Sequence, residues 1–455
     1  MDLLGVGSGL DLTSIIDQMM EIERIPITRY ETKRGEYTSM QSLWRELNTR
    51  LSALSNSLNG LKLQSDFDKM KVTSADEAVV TATANANVVQ GNYKVKVIQL
   101  AKAEIAMSEK VDPEDAEELL QGEIRISING KVVVLEETEE PRTLLDVAKA
   151  INKTEDIGVV ATVVDGRLVL EAKNTNEEIK FFEGEEENAF LKQIGLLKEE
   201  GEGYKTNILQ ERQGSIIELN GITIARDKNV IDDAVEGLKL TLKKETNEAV
   251  NLSVAADVDS IIAKVKAFVD EYKKVQAYFD THTSFTKGAD GESNNTGKLF
   301  GDSTISNLKS RLRSMVTGVV EGLPEDSIKM LSQVGIQIDR SGNMTLDESK
   351  LREVLTEKPD QVKELFTKPE TGLTARLQEF IKGYTTSQGI IDGKINYLAD
   401  RIKDANKSIE RLEARLEMRK ESLIRQYTAL DSALASLYSQ GDWLATQLTL
   451  MTNQK

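Results

Sequence analysis

Cysteine is absent from all 455 residues, so disulfides, thiolate nucleophiles and cysteine-built zinc sites are excluded together, and nothing in the chain depends on the redox state of its surroundings. Histidine occurs once, at His282. A catalytic triad, a histidine-carboxylate metal site or an imidazole base would each rest on that one side chain, which reads more simply as a solvated or capping residue near a helix end. Aromatic residues make up 5% of the chain, and no aromatic-rich cleft accompanies the many carboxylates as it would in a glycosidase. Positive charge is in deficit: a net charge of -17 opposes contact with phosphate backbones, so no nucleic acid partner is expected. No stretch approaches the roughly 20 apolar residues that cross a bilayer, and the start lacks a basic segment followed by an apolar block. Neither a membrane span nor a cleaved signal peptide is expected.

What is present is helical periodicity at both ends. From Ile395 to Met451 an apolar residue recurs at every seventh position, through Ile402, Ile409, Leu416, Leu423, Leu430, Leu437 and Leu444. Near the other end Tyr37, Met40, Trp44, Leu47, Leu51, Leu54, Leu58 and Leu61 alternate spacings of three and four, the a/d pattern of a coiled-coil seam. A second apolar line on the C-terminal helix changes phase after Leu416, from Leu398, Ala405 and Leu412 to Tyr427, Leu434 and Leu448, with Arg419 and Lys420 at the junction. Such a four-residue stutter implies different packing partners on its two sides. Beyond it Leu430, Leu434, Leu437, Trp443, Leu444 and Leu448 form an apolar stripe with few charges, and the comparable partner, residues 14 to 25, is far shorter. This end is expected to be poorly covered and mobile in an isolated molecule. The seams fit either a helical hairpin within one chain or a surface for partner helices.

A chain of this length exceeds what one core organises, and roughly three or four domains are expected. Residues 1 to 13 are glycine-rich (Gly5, Gly7, Gly9), and Asp11, Thr13 or Ser14 can cap a helix carrying Ile15, Ile16, Met19 and Ile22. Pro26 predicts a break, with a new helix from about Thr28 to Leu61, which makes the first two dozen residues a separately movable tip. After Asp66 the period becomes that of strands: Val72, Ala78 to Thr83, then Tyr93, Val95 and Val97. Asn129-Gly130 and Asp165-Gly166 turn two hairpins around a helix at Leu144 to Ile151, and Asn220-Gly221 turns a third, followed by strands near Leu238 to Leu242 and Val250 to Val254. Ile261, Val265, Phe268, Tyr272, Val275 and Phe279 then restore the helical period, long enough to lie beside the N-terminal helix and close a discontinuous helical domain around the β insertion. A flexible loop is expected at 285 to 298, and helices at about Ser303 to Val320, Ser349 to Thr356 and Pro359 to Phe366. Acidic runs at Glu114 to Glu118, Glu136 to Glu140 and Glu183 to Glu187 read as solvated loops.

No chemical centre emerges. Gly5-x-Gly7-x-Gly9 follows no strand and precedes no Gly-Lys-Ser/Thr, so it is a flexible entry into a helix and no cradle for phosphate. Asp339, Ser341, Asn343 and Asp347 invite comparison with a calcium loop, yet Gly342 stands at the fourth position and Lys350 where a bidentate glutamate is needed, which makes the segment a turn. Catalytic, cofactor-binding and metal-ligating residues are therefore assigned nowhere, and an enzyme is not expected.

Four segments in order resemble a known family: Gly5 to Leu12 with Ile15, Ile16 and Met19; Gly91 to Ala101; Gly301 to Thr304; and Val334 to Glu348. They are similar to those of the flagellar filament cap proteins, also called hook-associated proteins type two, essentially from end to end. Residues Glu123 to Glu171 also resemble the insertion motif of flagellins and hook-associated proteins. The resemblance implies an α+β multidomain fold in which terminal coiled-coil helices form a discontinuous helical stalk around an inserted β-rich head. It implies a homo-oligomeric ring, commonly a pentamer, whose legs enter the filament tip while flagellin refolds beneath the plate. Implied partners are further copies of the chain, flagellin, the hook-filament junction proteins and a cytosolic export chaperone on the C-terminal helix, with secretion through the flagellar type III apparatus to the flagellum tip. A surface adhesin using the acidic β head is the alternative.

The expected division is a leg of residues 1–42 with 390–455, a stalk of 43–70 with 255–389, and a head of 71–254 holding two subdomains, about 106–212 and the flanking 71–105 with 213–254. Ile15, Met19, Ile22, Leu434, Leu444 and Leu448 are expected to face the filament. Leu47, Leu51, Leu54, Phe268 and Tyr272 are expected in the stalk core.

Overall fold

The computed structural model describes residues 11–112, 119–138, 142–182, 188–200, 203–286 and 295–452. The glycine-rich start, the acidic runs at 114–118 and 183–187, part of that at 136–140 and most of the loop at 285–298 lie outside them. The chain forms two units, Met1–Asp66 with Val258–Lys455, and Phe67–Asp257.

The first helix, α1 (Leu12–Ser57), starts where Asp11 accepts a hydrogen bond from the Ser14 N–H at 3.0 Å, as an N-cap should. It then runs straight through Pro26. The expected break is absent, and so is a separately movable tip defined by it. Pro26 stands on the exposed side, where water can hydrate the carbonyl its ring leaves unpaired, while Leu12 and Ile16 before it and Ile27 after it are buried. Burial on both flanks holds the helix in register against an interior-proline cost of about 3 kcal/mol. Replacing Pro26 with alanine restores a backbone bond, and it is expected to stabilise residues 12–25 by up to about 3 kcal/mol, read as slower amide exchange there.

The β unit follows. Its strands are β1 (Met70–Ser74), β2 (Val80–Ala84), β3 (Gly91–Gln99), β4 (Ile105–Met107), β5 (Ile124–Ile128) and β6 (Lys131–Leu135), then helix α2 (Leu144–Lys153). After it come β7 (Val159–Val164), β8 (Arg167–Ala172), the short α3 (Ala189–Gln193), β9 (Leu197–Glu200), β10 (Gly203–Thr206), β11 (Ile208–Gln210), β12 (Ser215–Leu219), β13 (Ile222–Arg226), β14 (Val230–Val235), β15 (Leu238–Leu242) and β16 (Val250–Ala256). Asn129, Asp165 and Asn220 all sit at positive φ (50°, 45° and 49°) ahead of glycines at 80°, 71° and 87°, the geometry of two-residue type I′ turns.

Two cores share this unit. One lies under a five-stranded antiparallel sheet, β1-β16-β3-β12-β13, and a three-stranded sheet, β14-β15-β2, filled by Val95, Val97, Ile217, Leu240 and Leu252. The other gathers Ile126, Val147, Ile151, Leu168, Leu170 and Leu191 from the sheet β11-β4-β8-β7, the hairpin β5-β6, and α2 and α3. Every residue of the second core falls between Ala106 and Leu197. Asn220 also accepts from the Lys94 N–H at 2.9 Å, tying the third turn to β3.

The chain returns to the helical unit with α4 (Val258–Thr283), a small hairpin β17 (Phe285–Thr286) and β18 (Asn295–Thr296), α5 (Ser303–Thr317), hairpin β19 (Ile336–Ile338) and β20 (Met344–Leu346), α6 (Glu348–Glu357), α7 (Pro359–Thr367), α8 (Leu373–Thr385) and the terminal α9 (Ile390–Thr452). Between β19 and β20 the Asp339 carboxylate accepts from the N–H and the side-chain amide of Asn343, which closes the turn and holds its carboxyl below the usual range. α1 packs against α4, α8 and α9.

Candidate functional site

Leu47, Leu51 and Leu54 of α1 and Phe268 and Tyr272 of α4 are wholly buried. Their spacing puts each set on one helix face. The Phe268 and Tyr272 rings lie 6.5 Å apart, and the Gln276 amide donates to the Tyr272 hydroxyl at 3.0 Å. Tyr278 adds a polar clamp, its hydroxyl donating to the Leu43 carbonyl at 2.6 Å. Burial, aided by the Glu46 charge, pushes its phenol up. This core fixes the base from which α1 and α9 project.

A node missed by sequence reasoning pins α9 to that base. Asp302 caps α5 by accepting from the N–H groups of Thr304 (2.8 Å) and Ile305 (3.2 Å), and the same carboxylate takes an ion pair from Lys394 of α9 at 3.1 Å. Lys394 in turn lies 5.4 Å over the ring of buried Trp44 on α1. The signal was available in the Gly301 to Thr304 segment, an aspartate just ahead of a helix. Burial raises the Asp302 carboxyl, but the Lys394 hydrogen bond, the Ile305 N–H, the Lys394 charge and the Thr304 N–H outweigh it, so the net shift is downward. A carboxyl lowered in the folded state stabilises above its unfolded value near 3.9, and that contribution is lost as pH falls through the lowered folded value. Asp302→Ala is expected to cost the helical unit about 1–2 kcal/mol at pH 7 and to lose that penalty in strong acid, as read by thermal melts across pH.

Above the node α1 and α9 run antiparallel. Gln41 donates to the Ile395 carbonyl (3.1 Å), Arg34 to Asn406 (3.4 Å), Arg419 to Glu23 (3.1 Å), and the Tyr427 hydroxyl to the Met19 sulfur (3.7 Å). Buried positions on α9 track Leu398, Ala405, Ile409 and Leu423, then Asp431. The seven-residue series therefore leaves the seam: after Leu423, its members Leu430, Leu437 and Leu444 turn to solvent. The stutter turns Leu430 outward, because an extra half-heptad rotates the earlier seam line off the partner, whereas Leu437 and Leu444 lie past the level at which α1 begins.

Seven residues beyond the Met19–Tyr427 contact, the ladder sets Leu12 beside residue 434. From 436 to 449 every residue of α9 is exposed, including Leu437 (62%), Trp443 (62%) and Leu448 (63%). Of the residues expected to face a filament, Ile15, Ile22, Leu444 and Leu448 are exposed, whereas Met19 and Leu434 are half-buried, Met19 against Tyr427. An exposed apolar stripe of this length on a helix is a candidate surface for partner helices.

A helical unit interrupted in the sequence by a β-rich insertion, whose last helix ends in an exposed apolar stripe, defines an α+β multidomain protein that presents a helix face. Family models describe which one: "Flagellar hook-associated protein 2 N-terminus" matches residues 8–104, and "Flagellar hook-associated protein 2 C-terminus" matches residues 213–439. The chain belongs to the flagellar hook-associated protein 2 family. The A-type flagellar hook-associated protein 2 of Pseudomonas aeruginosa is 27% identical, over 98% of this chain and 96% of that protein. The flagellar hook-associated protein 2 of Escherichia coli K12 is 26% identical, over 99% of both. Among solved structures, the D1-D2-D3 domains of the flagellar cap protein FliD from Escherichia coli share the fold, with a TM-score of 0.62 at 22% identity, over 78% of this chain and 99% of that one. The second β core, Ala106 to Leu197, lies between the two family matches.

Proposed function

We propose that this protein caps the distal end of the bacterial flagellar filament as a homo-oligomeric ring, its α1–α9 ends binding the filament tip and its β units forming a plate beneath which flagellin folds and polymerises. The observation that carries this reading is the exposed apolar face of α9 beyond residue 435. Names of the relatives support it, and so does the fold shared with a flagellar cap protein. Residues 1–42 with 390–455 act as the leg, 43–70 with 255–389 as the stalk, and 71–254 as the head. Ile15, Met19, Ile22, Leu434, Leu444 and Leu448 contact the filament. Other partners are the hook-filament junction proteins and an export chaperone that covers the C-terminal helix before secretion. A ring of five is the working count.

Because α1 is continuous through Pro26, leg movement during subunit addition comes from the exposed end of α9 and not from a proline break. Replacing Leu444 and Leu448 with aspartate puts two charges on the contact face without touching a buried residue. The expected result is a stably folded protein whose cells shed unpolymerised flagellin into the medium. Normal filaments, with no flagellin in the medium, would refute the assignment.

A further inference from the structure

The edges of strands within residues 106–212 are finished in two different ways. The outer edge of β7 is closed by Asn152 of α2, whose amide donates to the Ala161 carbonyl at 2.7 Å and accepts from the Ala161 N–H at 2.8 Å. The outer edge of β5 is closed by Asn188, whose side chain accepts from the Ser127 N–H at 2.7 Å and whose own N–H donates to the Arg125 carbonyl at 3.0 Å. Each asparagine does the work of a neighbouring strand and blocks further pairing.

β6 is left open. Ser127 and Arg125 turn their backbone groups away from β6, so the residues opposite them, Val132 and Val134, form the non-hydrogen-bonded pairs of the hairpin. The N–H and C=O of Val132 and Val134 accordingly point outward, and none has a hydrogen-bond partner among the described residues. Their side chains are 45% and 46% exposed, with Val133 buried between them. Lys131-Val-Val-Val-Leu135 is a strongly strand-forming sequence, the kind of edge that proteins ordinarily protect.

The surroundings select what can pair there. Residues 106–212 carry 26 acidic and 13 basic side chains, a net charge of -13 out of -17 for the whole chain. Exposed Glu136 and Glu137 follow β6 directly. Another copy of the same edge would bring an equal negative charge with it, whereas a cationic strand is drawn in.

We propose that β6 is a strand-addition site that takes an extended, basic protein segment, held by backbone hydrogen bonds to Val132 and Val134 and by its lysines or arginines to the acidic surface. The test uses the full-length chain and a capped octapeptide of alternating lysine and valine. Exchange of the Val132 and Val134 amides, followed by NMR, should slow at least tenfold when the peptide is added. The same peptide N-methylated along one edge, and a glutamate-valine counterpart, should each bind at least tenfold more weakly. Val134→Pro should also abolish binding, since its N–H lies outside the β5–β6 ladder and an edge proline is tolerated there. The methylated peptide asks the same question of the unaltered chain should that variant misfold. Equal binding of the methylated or glutamate peptide, or protection at other strands, overturns the proposal. So does protection of Val132 and Val134 that grows with protein concentration alone, which would make a second copy the occupant.

Discussion

Cells whose protein lacks residues 436–455 are expected to stop swimming and to release flagellin into the medium, while the β unit melts at an unchanged temperature. The deletion removes the exposed end of α9 and leaves the seam with α1 intact as far as Leu434, so no buried side chain among the described residues is lost. Burying a large apolar side chain fully contributes roughly 1.5–3 kcal/mol, and Leu437, Trp443, Leu444 and Leu448 start more than half exposed. Docking those four against filament helices therefore offers on the order of 5 kcal/mol, less the cost of ordering the end. A loss of that size is a factor of several thousand in tip occupancy. Calorimetry separates the intended loss from general unfolding, because residues 67–257 form a unit of their own.

Phe268→Ala is expected to act in the opposite place, destabilising the helical unit by about 3–5 kcal/mol and sparing the β unit. The ring is fully buried on α4, beside Tyr272. Removing it leaves a cavity that rigid neighbouring helices cannot close. For a unit of this size the melting temperature should fall by on the order of 10 °C, with the β transition unmoved. A single shared transition that shifts as a whole would mean that the two units do not unfold independently.

Local turn chemistry was the most legible part of the chain. Asn129-Gly130, Asp165-Gly166 and Asn220-Gly221 demand positive φ and have it, and the strands around them follow. Helix α4 was legible for a similar reason: its apolar period is long and uninterrupted. Pro26 misled because the intrinsic cost of a proline is local, whereas the burial of Leu12, Ile16 and Ile27 that overrides it depends on a helix some 400 residues away in sequence. The unbroken heptad from Ile395 to Met451 suggested one seam. A phase shift near Lys420 turns Leu430 outward, and the part from Leu437 on runs past the start of α1, as the shortness of the N-terminal apolar segment implied. α8 escaped notice although Leu377, Ile381 and Tyr384 are buried at helical spacing, and β9 to β11 are too short to show a period at all. The Asp302–Lys394–Trp44 node joins residues far apart in the chain, and no single window contains it.

On the proposed function, the apolar end of α9, exposed in a lone molecule, becomes buried only against neighbouring helices. Amide hydrogen exchange over residues 436–452, compared between the dilute isolated protein and the same protein on filament tips, tests this directly. Fast exchange in solution and strong protection at the tip is the predicted result; full protection in the dilute, solitary chain would contradict it.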